Sequence, residues 1–485
     1  MERFMKKGYI FIVLSLLLFS SCSDFLKEED KDQVIPRTVE HYLSILHRES
    51  FIQTTQNYMT DFMTDDIMEN RKTGSEDKNL YKSLYTWQRD IEVDGNGDKA
   101  SVNKYWEILY GLILTSNYVM ENVNEADGVE TERAYARGEA LFSRARAYLE
   151  LVNLYAKPYD PETAASEVGI PKRLGTGVEA SYPWATVAEI YALIESDLKD
   201  AVKEFTASGL KKSLWHPDAL TAKLLLSRVY LYMHEWDKCI EFAGQVIEGR
   251  NSMLWSLKEH QGSFVNTTNA EILHTYGEPS SLVGTGDYAM PHIYEGSSSP
   301  TYGISTDLEN SYLEGDLRPT LFVTTVLGMG VPAKWLGTFT TMGAFNYRLS
   351  EAFLNRAEAY AMKNMDKEAY NDVKLLVENR VEDINKITIP ASGMDLKRFI
   401  FNERRRELCF EGHRWFDLRR TKLFAKQIDH VFTQVNNTGT IMGTETYMLT
   451  PNDPNYVYPI PQDEINRTGM KQNERVEKLP IKSDY

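Results

Sequence analysis

Three sets of residues in this chain have types and spacings suited to chemistry. The first is aromatic. Trp255, Tyr276, Tyr288, Tyr294, Tyr302, Tyr312, Trp335 and Phe339 crowd the stretch from Asn251 to Phe345, and Trp87 stands in a similar loop-like segment nearer the amino terminus. Flat amphipathic rings of this kind dock the C–H faces of sugars while polar neighbours satisfy the hydroxyls. Trp87, Trp255, Tyr288, Tyr294, Tyr302 and Trp335 are therefore the candidate ligand-binding residues. Any single ring taken alone reads first as a local core position, and at least two or three of the set are expected to line a site. The second set is acidic. Glu403, Glu407 and Glu411 fall four residues apart on one helical face, with Arg404 and Arg406 spaced to pair with them. Opposite charges at that spacing predict a structural ion-pair network, not a catalytic pair. The third is the thiol of Cys22, placed directly after Ser20 and Ser21.

The surroundings of Cys22 specify an address. Arg3, Lys6 and Lys7 form a basic start, and Tyr9–Phe19 is an apolar run broken only by Ser15. That pattern is a signal peptide over residues 1–21, too short to span a bilayer permanently. The small residues before Cys22 resemble a bacterial lipobox, in which the cysteine becomes the first residue and carries acyl chains. Phe19 departs from the commoner Leu at its position. More than one acyl chain gives stable attachment, at about 0.8 kcal/mol per buried methylene. Ser23-Asp24-Phe25-Leu26-Lys27-Glu28-Glu29-Asp30 follows, and such an acidic stretch resembles the surface-export signal of Bacteroidetes lipoproteins; a solvated tether is the other reading.

Composition excludes several classes. The 485 residues carry 54 Lys+Arg against 70 Asp+Glu, a net charge of −16. Residues 1–21 hold three basic residues and one acidic, so the remainder is two charges more negative. Such a field repels polyanions, so nucleic acid is not an expected partner. Three cysteines build no disulfide framework; Cys239 and Cys409 sit in apolar helical patterns and read as buried hydrophobes. Gly-x-Ser-x-Gly, phosphate-loop and His-Glu-x-x-His motifs are missing, and the nine His are scattered, so no catalytic residue, metal or cofactor is expected. Asp94-Gly95-Asn96-Gly97-Asp98 has Lys99 and Tyr105 where a calcium loop needs Gly and Glu, and reads as a turn.

The elements that position these residues are helices. Thr186-Val187-Ala188-Glu189 is a capping box, and Ile190, Leu193, Ile194, Leu198 and Val202 keep one helical face behind it. Three segments share a pattern of apolar, Ser or Asn, Arg, small apolar, any, small apolar, Tyr. They are Phe142–Tyr148, Leu226–Tyr232 and Leu354–Tyr360. Short polar turns at His234-Glu235 and Lys363-Asn364 lead the last two into second amphipathic helices, and a further helical pair is expected from Tyr105-Trp106. These units resemble tetratricopeptide hairpins. Arg144, Arg228 and Arg356 lie 84 and then 128 residues apart, far from a constant repeat of about 34, so insertions must separate the hairpins. The expected fold is mostly all-α. A helical scaffold spans about 100–250 and 346–425, a loop-rich ligand-binding region about 251–345, and a carboxyl-terminal segment 426–485.

The last third carries a specific resemblance. Phe399–Arg420 contains Asn402-Glu403-Arg404-Arg405-Arg406-Glu407-Leu408 and Glu411-Gly412-His413-Arg414-Trp415-Phe416-Asp417. With Tyr458-Pro459-Ile460-Pro461-Gln462-Asp463-Glu464-Ile465, Gln472-Asn473 and Asp24-Phe25-Leu26, it resembles the SusD/RagB family from residue 22 to 485. Glu474-Arg475-Val476 stands where the family often has Pro-Gly-Tyr. The resemblance implies a non-enzymatic lipoprotein, anchored through Cys22 to the outer membrane and facing the cell exterior. Its implied partners are an oligosaccharide and a SusC-like TonB-dependent outer-membrane transporter, with polysaccharide utilisation as the context. The same uptake role for peptides or another nutrient, and a scaffold without a small ligand, are the alternatives.

Overall fold

The computed structural model describes residues 36–52, 58–74, 78–99, 105–177, 182–260, 262–277, 300–335, 341–343, 345–436 and 438–484. Ten helices organise them: α1 (Val39–Ile52), α2 (Tyr105–Asn122), α3 (Glu130–Tyr155), α4 (Val187–Ser208), α5 (Ala219–Met233), α6 (Trp236–Gly249), α7 (Leu349–Met362), α8 (Asp366–Glu378), α9 (Gly393–Leu408) and α10 (Arg414–Arg420). Neighbours in this order pack on one another: α2 on α3, α3 on α4, α4 on α5, α5 on α6, α6 on α7 and α7 on α8. The result is a run of tetratricopeptide-like hairpins, with α9 laid against α7 and α8. None of the described helices is long and apolar enough to cross a membrane.

Local chemistry explains the helix limits. At the start of α4, Thr186 Oγ1 accepts from the Glu189 amide (3.2 Å) and Glu189 accepts from the Thr186 amide (2.8 Å), the reciprocal cap expected from sequence. Gly209 ends the same helix at φ +64°, where a side chain would be strained. The turns after α5 and α7 use His234 and Asn364, both left-handed at φ 62° and 58°.

Each repeated arginine sits on the first helix of its hairpin. Arg144 on α3 makes a two-pronged bond to Asp197 on α4, both prongs 2.7 Å. Arg356 on α7 does the same to Asp372 on α8, again at 2.7 Å. The middle hairpin differs: Arg228 finds its carboxylate outside the hairpin, and on α6 Phe242 lies 5.5 Å from Tyr230. Arg228 reaches forward to Glu351 on α7 (2.6 and 2.7 Å) and ties the second hairpin to the third. Bidentate pairing fixes angle as well as distance, which holds units together despite the long insertions.

Strand Ile272–Tyr276 pairs antiparallel with Phe345–Arg348 and so closes the base of the 251–345 insertion. Within it, Tyr302–Ile304 pairs with Ile67–Glu69, and Val323–Val326 with Met329–Pro332. Beyond α10, Ile428–Val435, Ile441–Leu449 and Lys482–Asp484 form a three-stranded antiparallel sheet that the helical reading does not contain. The Asp94 segment is the expected turn: Asp94 Oδ1 accepts from the amides of Asn96 (2.7 Å) and Asp98 (3.0 Å).

The tail is a strap. Gln472 bonds Ile460 reciprocally (2.7 and 2.9 Å), and Asn473 Nδ2 donates to the carbonyls of Tyr155 and Tyr458 (2.8 Å each). Arg475 donates to the carbonyls of Arg89, Asn455, Val457 and Gln88. Burial among these dipoles, with no carboxylate of the described residues in contact, pushes its guanidinium down to about 10. Arg475 thus does structural work at the point where the sequence leaves the family pattern.

Candidate functional site

Three of the six candidate aromatics belong to the core. Trp87 is fully buried; its indole N–H donates to Met63 O (2.9 Å) and its ring lies on His430 at 4.3 Å. His430 in turn stacks on Tyr85 at 4.1 Å. Tyr302 meets Phe62 edge-on (5.2 Å) and donates its hydroxyl to Lys78 O (3.0 Å). Trp335 is 1% exposed. The expectation that these rings face a ligand is corrected on that ground: their faces are covered by protein. All three rings belong to one continuous apolar core shared by the helices and the insertion, which the largest side chains help to fill. Tyr288, Tyr294 and Cys22 lie outside the described residues.

Trp255 is placed differently. It is half-buried on the loop after α6 and stacks on His260 at 3.5 Å. Its amide donates to Glu271 Oε1 (2.7 Å), and its carbonyl accepts from Arg380 Nη1 (2.7 Å). Both partners are completely buried, so a rigid charged core positions this ring.

That core is the ion-pair network foreseen around α9, in a wider form. Arg318 pairs with Asp316, Glu403 and Glu407; Arg348 with Glu271, Glu407 and Glu411; Arg380 with Glu271 and Glu407. Lys334 pairs with Glu411, and Arg406 with Glu403. Five cations thus face five carboxylates. Arg406 takes the expected place, but Arg404 does not: it turns away to Asp417 (2.9 Å) and Asn355 (2.7 Å). Glu411 lies beyond the end of the helix, in a turn completed by Gly412 at φ +75°. Burial alone would raise the Glu407 carboxyl; Arg380, Arg348 and Arg318 outweigh it and hold the group well below its usual range. Glu411 is lowered likewise by Arg348 and Lys334 against the same burial. Carboxylates locked in this way are poor proton donors and acceptors near neutral pH. Among the described residues no group of three His, Cys, Asp or Glu is arranged to hold a metal ion. Both thiols, Cys239 and Cys409, are buried, and burial pushes Cys409 up to about 11.

The base of the insertion brings together groups that sequence reasoning passed over. The Arg146 guanidinium lies 4.3 Å over the Tyr276 ring, and Tyr276 stacks on Phe345 at 5.1 Å. Arg146 Nη1 donates to Glu150 (3.1 Å), while Nη2 has no acceptor among the described residues. Gly343 crosses so close that an added Cβ would lie 2.4 Å from Tyr276 O. At the other side, Asn70 Nδ2 and Thr73 Oγ1 donate to Pro300 O (2.8 and 3.2 Å). The side chains of Arg146, Tyr276, Phe345, Asn70 and Thr73 are all buried, so they brace the base of the insertion and offer no open ring face to a ligand. Arg146 was hidden in the sequence because its neighbour Arg144 accounts for the repeat pattern.

Comparison with known proteins places the chain. Residues 24–231 match a family described as "Starch-binding associating with outer membrane", and residues 317–475 match the SusD family. The chain is a SusD-like protein. It is 22% identical over 490 residues to SusD-like protein P25 of Formosa agariphila, covering 85% of this chain and 88% of the relative. Its fold matches a SusD superfamily protein from Bacteroides thetaiotaomicron with a TM-score of 0.72 at 22% identity, over 90% of this chain and 100% of that one. It also matches surface glycan-binding protein A from Bacteroides fluxus, with a TM-score of 0.61 at 18% identity over 92% and 100%. In this SusD-like chain the Glu403–Asp417 signature that carried the resemblance supplies Glu403, Arg406, Glu407 and Glu411 to the network, while Arg404 and Asp417 pair with each other beside it.

Proposed function

We propose that this protein captures oligosaccharides at the outer membrane surface, through a lipid on Cys22, and passes them to a SusC-like TonB-dependent transporter. The carrying observation is the match of residues 24–231 to a family described as starch-binding and associating with the outer membrane. The name of the Bacteroides fluxus neighbour, a surface glycan-binding protein, supports the same reading. Capture proceeds without bond breaking. Ring faces exclude water from sugar C–H surfaces, at about 25 cal/mol per Å², and fixed donors read hydroxyl orientation. Of the candidate aromatics, Trp255 has an accessible position together with rigid support, and Tyr288 and Tyr294 remain candidates beside it. Shallow sugar sites bind weakly, so each is expected to hold its ligand on the order of 10 µM to 1 mM, with longer chains gaining through avidity.

A binding screen of the chain from Ser23 onward tests this. Glycan polymers, soluble starch among them, are set against a peptide mixture. Retention by a glycan without released products is expected. Retention by peptides alone transfers the uptake role to them, and silence on both points to a scaffold.

A further inference from the structure

A groove of about 420 Å³ opens where the turn between α5 and α6 meets the end of α7 and the middle of α9. It draws on hairpin and α9 residues and on the segment 420–424 at and beyond the end of α10, outside the 251–345 insertion. Trp236 lies parallel to His234 at 5.0 Å, and Phe401 stacks on Phe424 at 4.9 Å. Met362 joins these two aromatic pairs in the lining. The surface is almost entirely carbon. A sugar buried here would strip its hydroxyls of water without replacing the bonds, at about 1–3 kcal/mol for each. An apolar body of matching size gains instead.

The charged groups of the groove are unequal. Arg420 is engaged by both oxygens of Glu358 (2.6 and 2.9 Å) and by Asp417. Lys422 is engaged by Asp160 (2.6 Å). Lys397 is half-buried, and its ammonium donates to a neutral amide oxygen, Asn364 Oδ1, at 3.1 Å. Among the described residues no carboxylate lies within ion-pair distance of it. His234 adds no charge at neutral pH, because burial and then Arg420 lower its pKa.

We propose that this groove is a second ligand site, for a compact hydrophobic carboxylate whose apolar body enters between the two aromatic pairs and whose carboxylate pairs with Lys397. A free arylalkanoic acid and the carboxyl-terminal aromatic residue of a peptide present the same chemistry. The site is independent of the glycan reading, since it neither shares its residues nor suits its ligand.

Calorimetric titration of the full chain from Ser23 onward with phenylbutyrate, phenylbutanol and the tripeptide Ala-Ala-Phe tests the assignment. Phenylbutyrate is expected to saturate one site, with the neutral alcohol roughly tenfold weaker, as for loss of one charge-assisted bond. Lys397→Met is expected to erase that difference and leave glycan retention unchanged. Trp236→Ala is expected to weaken acid and alcohol alike. Tighter binding of the tripeptide than of the free acid assigns the source to peptides, and the reverse assigns it to free acids. Equal affinity for acid and alcohol in the unaltered protein overturns the proposal. So does an acid preference that survives Lys397→Met, or the absence of saturation.

Discussion

Replacing Glu407 by Gln probes the charged centre with almost no change of shape. Glu407 Oε1 accepts from Arg348 Nη1 (2.8 Å) and Arg380 Nη2 (2.9 Å); Oε2 accepts from Arg380 Nε (2.9 Å) and Arg318 Nη1 (3.3 Å). Gln keeps one acceptor, removes the charge, and turns an amide N–H₂ toward guanidinium donors. A network of five cations and five carboxylates is left with one cation in excess, in a site shut off from solvent. Each charge-assisted bond contributes about 1.5–3 kcal/mol, while desolvating the carboxylate costs several kcal/mol of that sum. Breaking a buried pair by removing one partner costs about 3–5 kcal/mol. At a urea slope of about 3 kcal/mol per M, the midpoint falls by roughly 1 M or more. Equilibrium urea unfolding, followed by tryptophan fluorescence, measures this. Trp255, whose carbonyl Arg380 holds, is expected to become more mobile in the variant. A midpoint within about 0.3 M of the parent, equivalent to less than ~1 kcal/mol, would refute the argument that this carboxylate balances the core.

Further outcomes follow from the same geometry. Trp87→Ala and Trp335→Ala are expected to lose about 3–5 kcal/mol of stability by opening cavities. Trp255→Ala is expected to cost far less stability and to weaken glycan binding at least tenfold, as removal of an aromatic anchor does; melting and affinity gels separate the two effects. Arg144→Met, which strands buried Asp197, is expected to cost about 3 kcal/mol, and the double variant with Asp197→Leu less than the sum of the singles. A double-mutant cycle in urea reads that coupling. Acid is expected to destabilise the fold through His274, whose Nδ1 lies 2.9 Å from Leu214 O and whose pKa burial pushes down to about 3. An unfolded histidine titrates near 6.5. Its contribution is therefore complete above that pH and is lost, at roughly 1.4 kcal/mol per pH unit, as the pH falls toward the folded value. Urea midpoints between pH 7 and 4 for the parent and His274→Phe test the slope.

The helical hairpins were legible because a repeated Arg on an amphipathic helix leaves a periodic trace, as did the reciprocal cap at Thr186 and Glu189. The use of each arginine was less so. Whether Arg228 reaches within its hairpin or forward to Glu351 is a matter of pairing between helices, for which the local sequence carries no signal. The acidic ladder was legible, but its cations Arg318, Lys334, Arg348 and Arg380 come from distant segments without local signal. Aromatic content located the insertion without sorting its rings, since Tyr302 and Trp335 have the same composition signature as a binding ring and differ from one only in what covers them. The carboxyl-terminal sheet escaped notice because its alternating pattern, plain once Gly443, Glu445, Tyr447 and Leu449 are seen facing inward, is short and partly polar.

The most direct test of the central claim is retention of the chain from Ser23 onward on affinity gels cast with single glycan polymers, with peptide-loaded gels in parallel. Slowed migration on one polymer, relieved by its free oligosaccharides and accompanied by no product release, is the result predicted here. Unretarded migration on every polymer, or steady release of shortened products, would contradict a protein that captures glycans without chemistry.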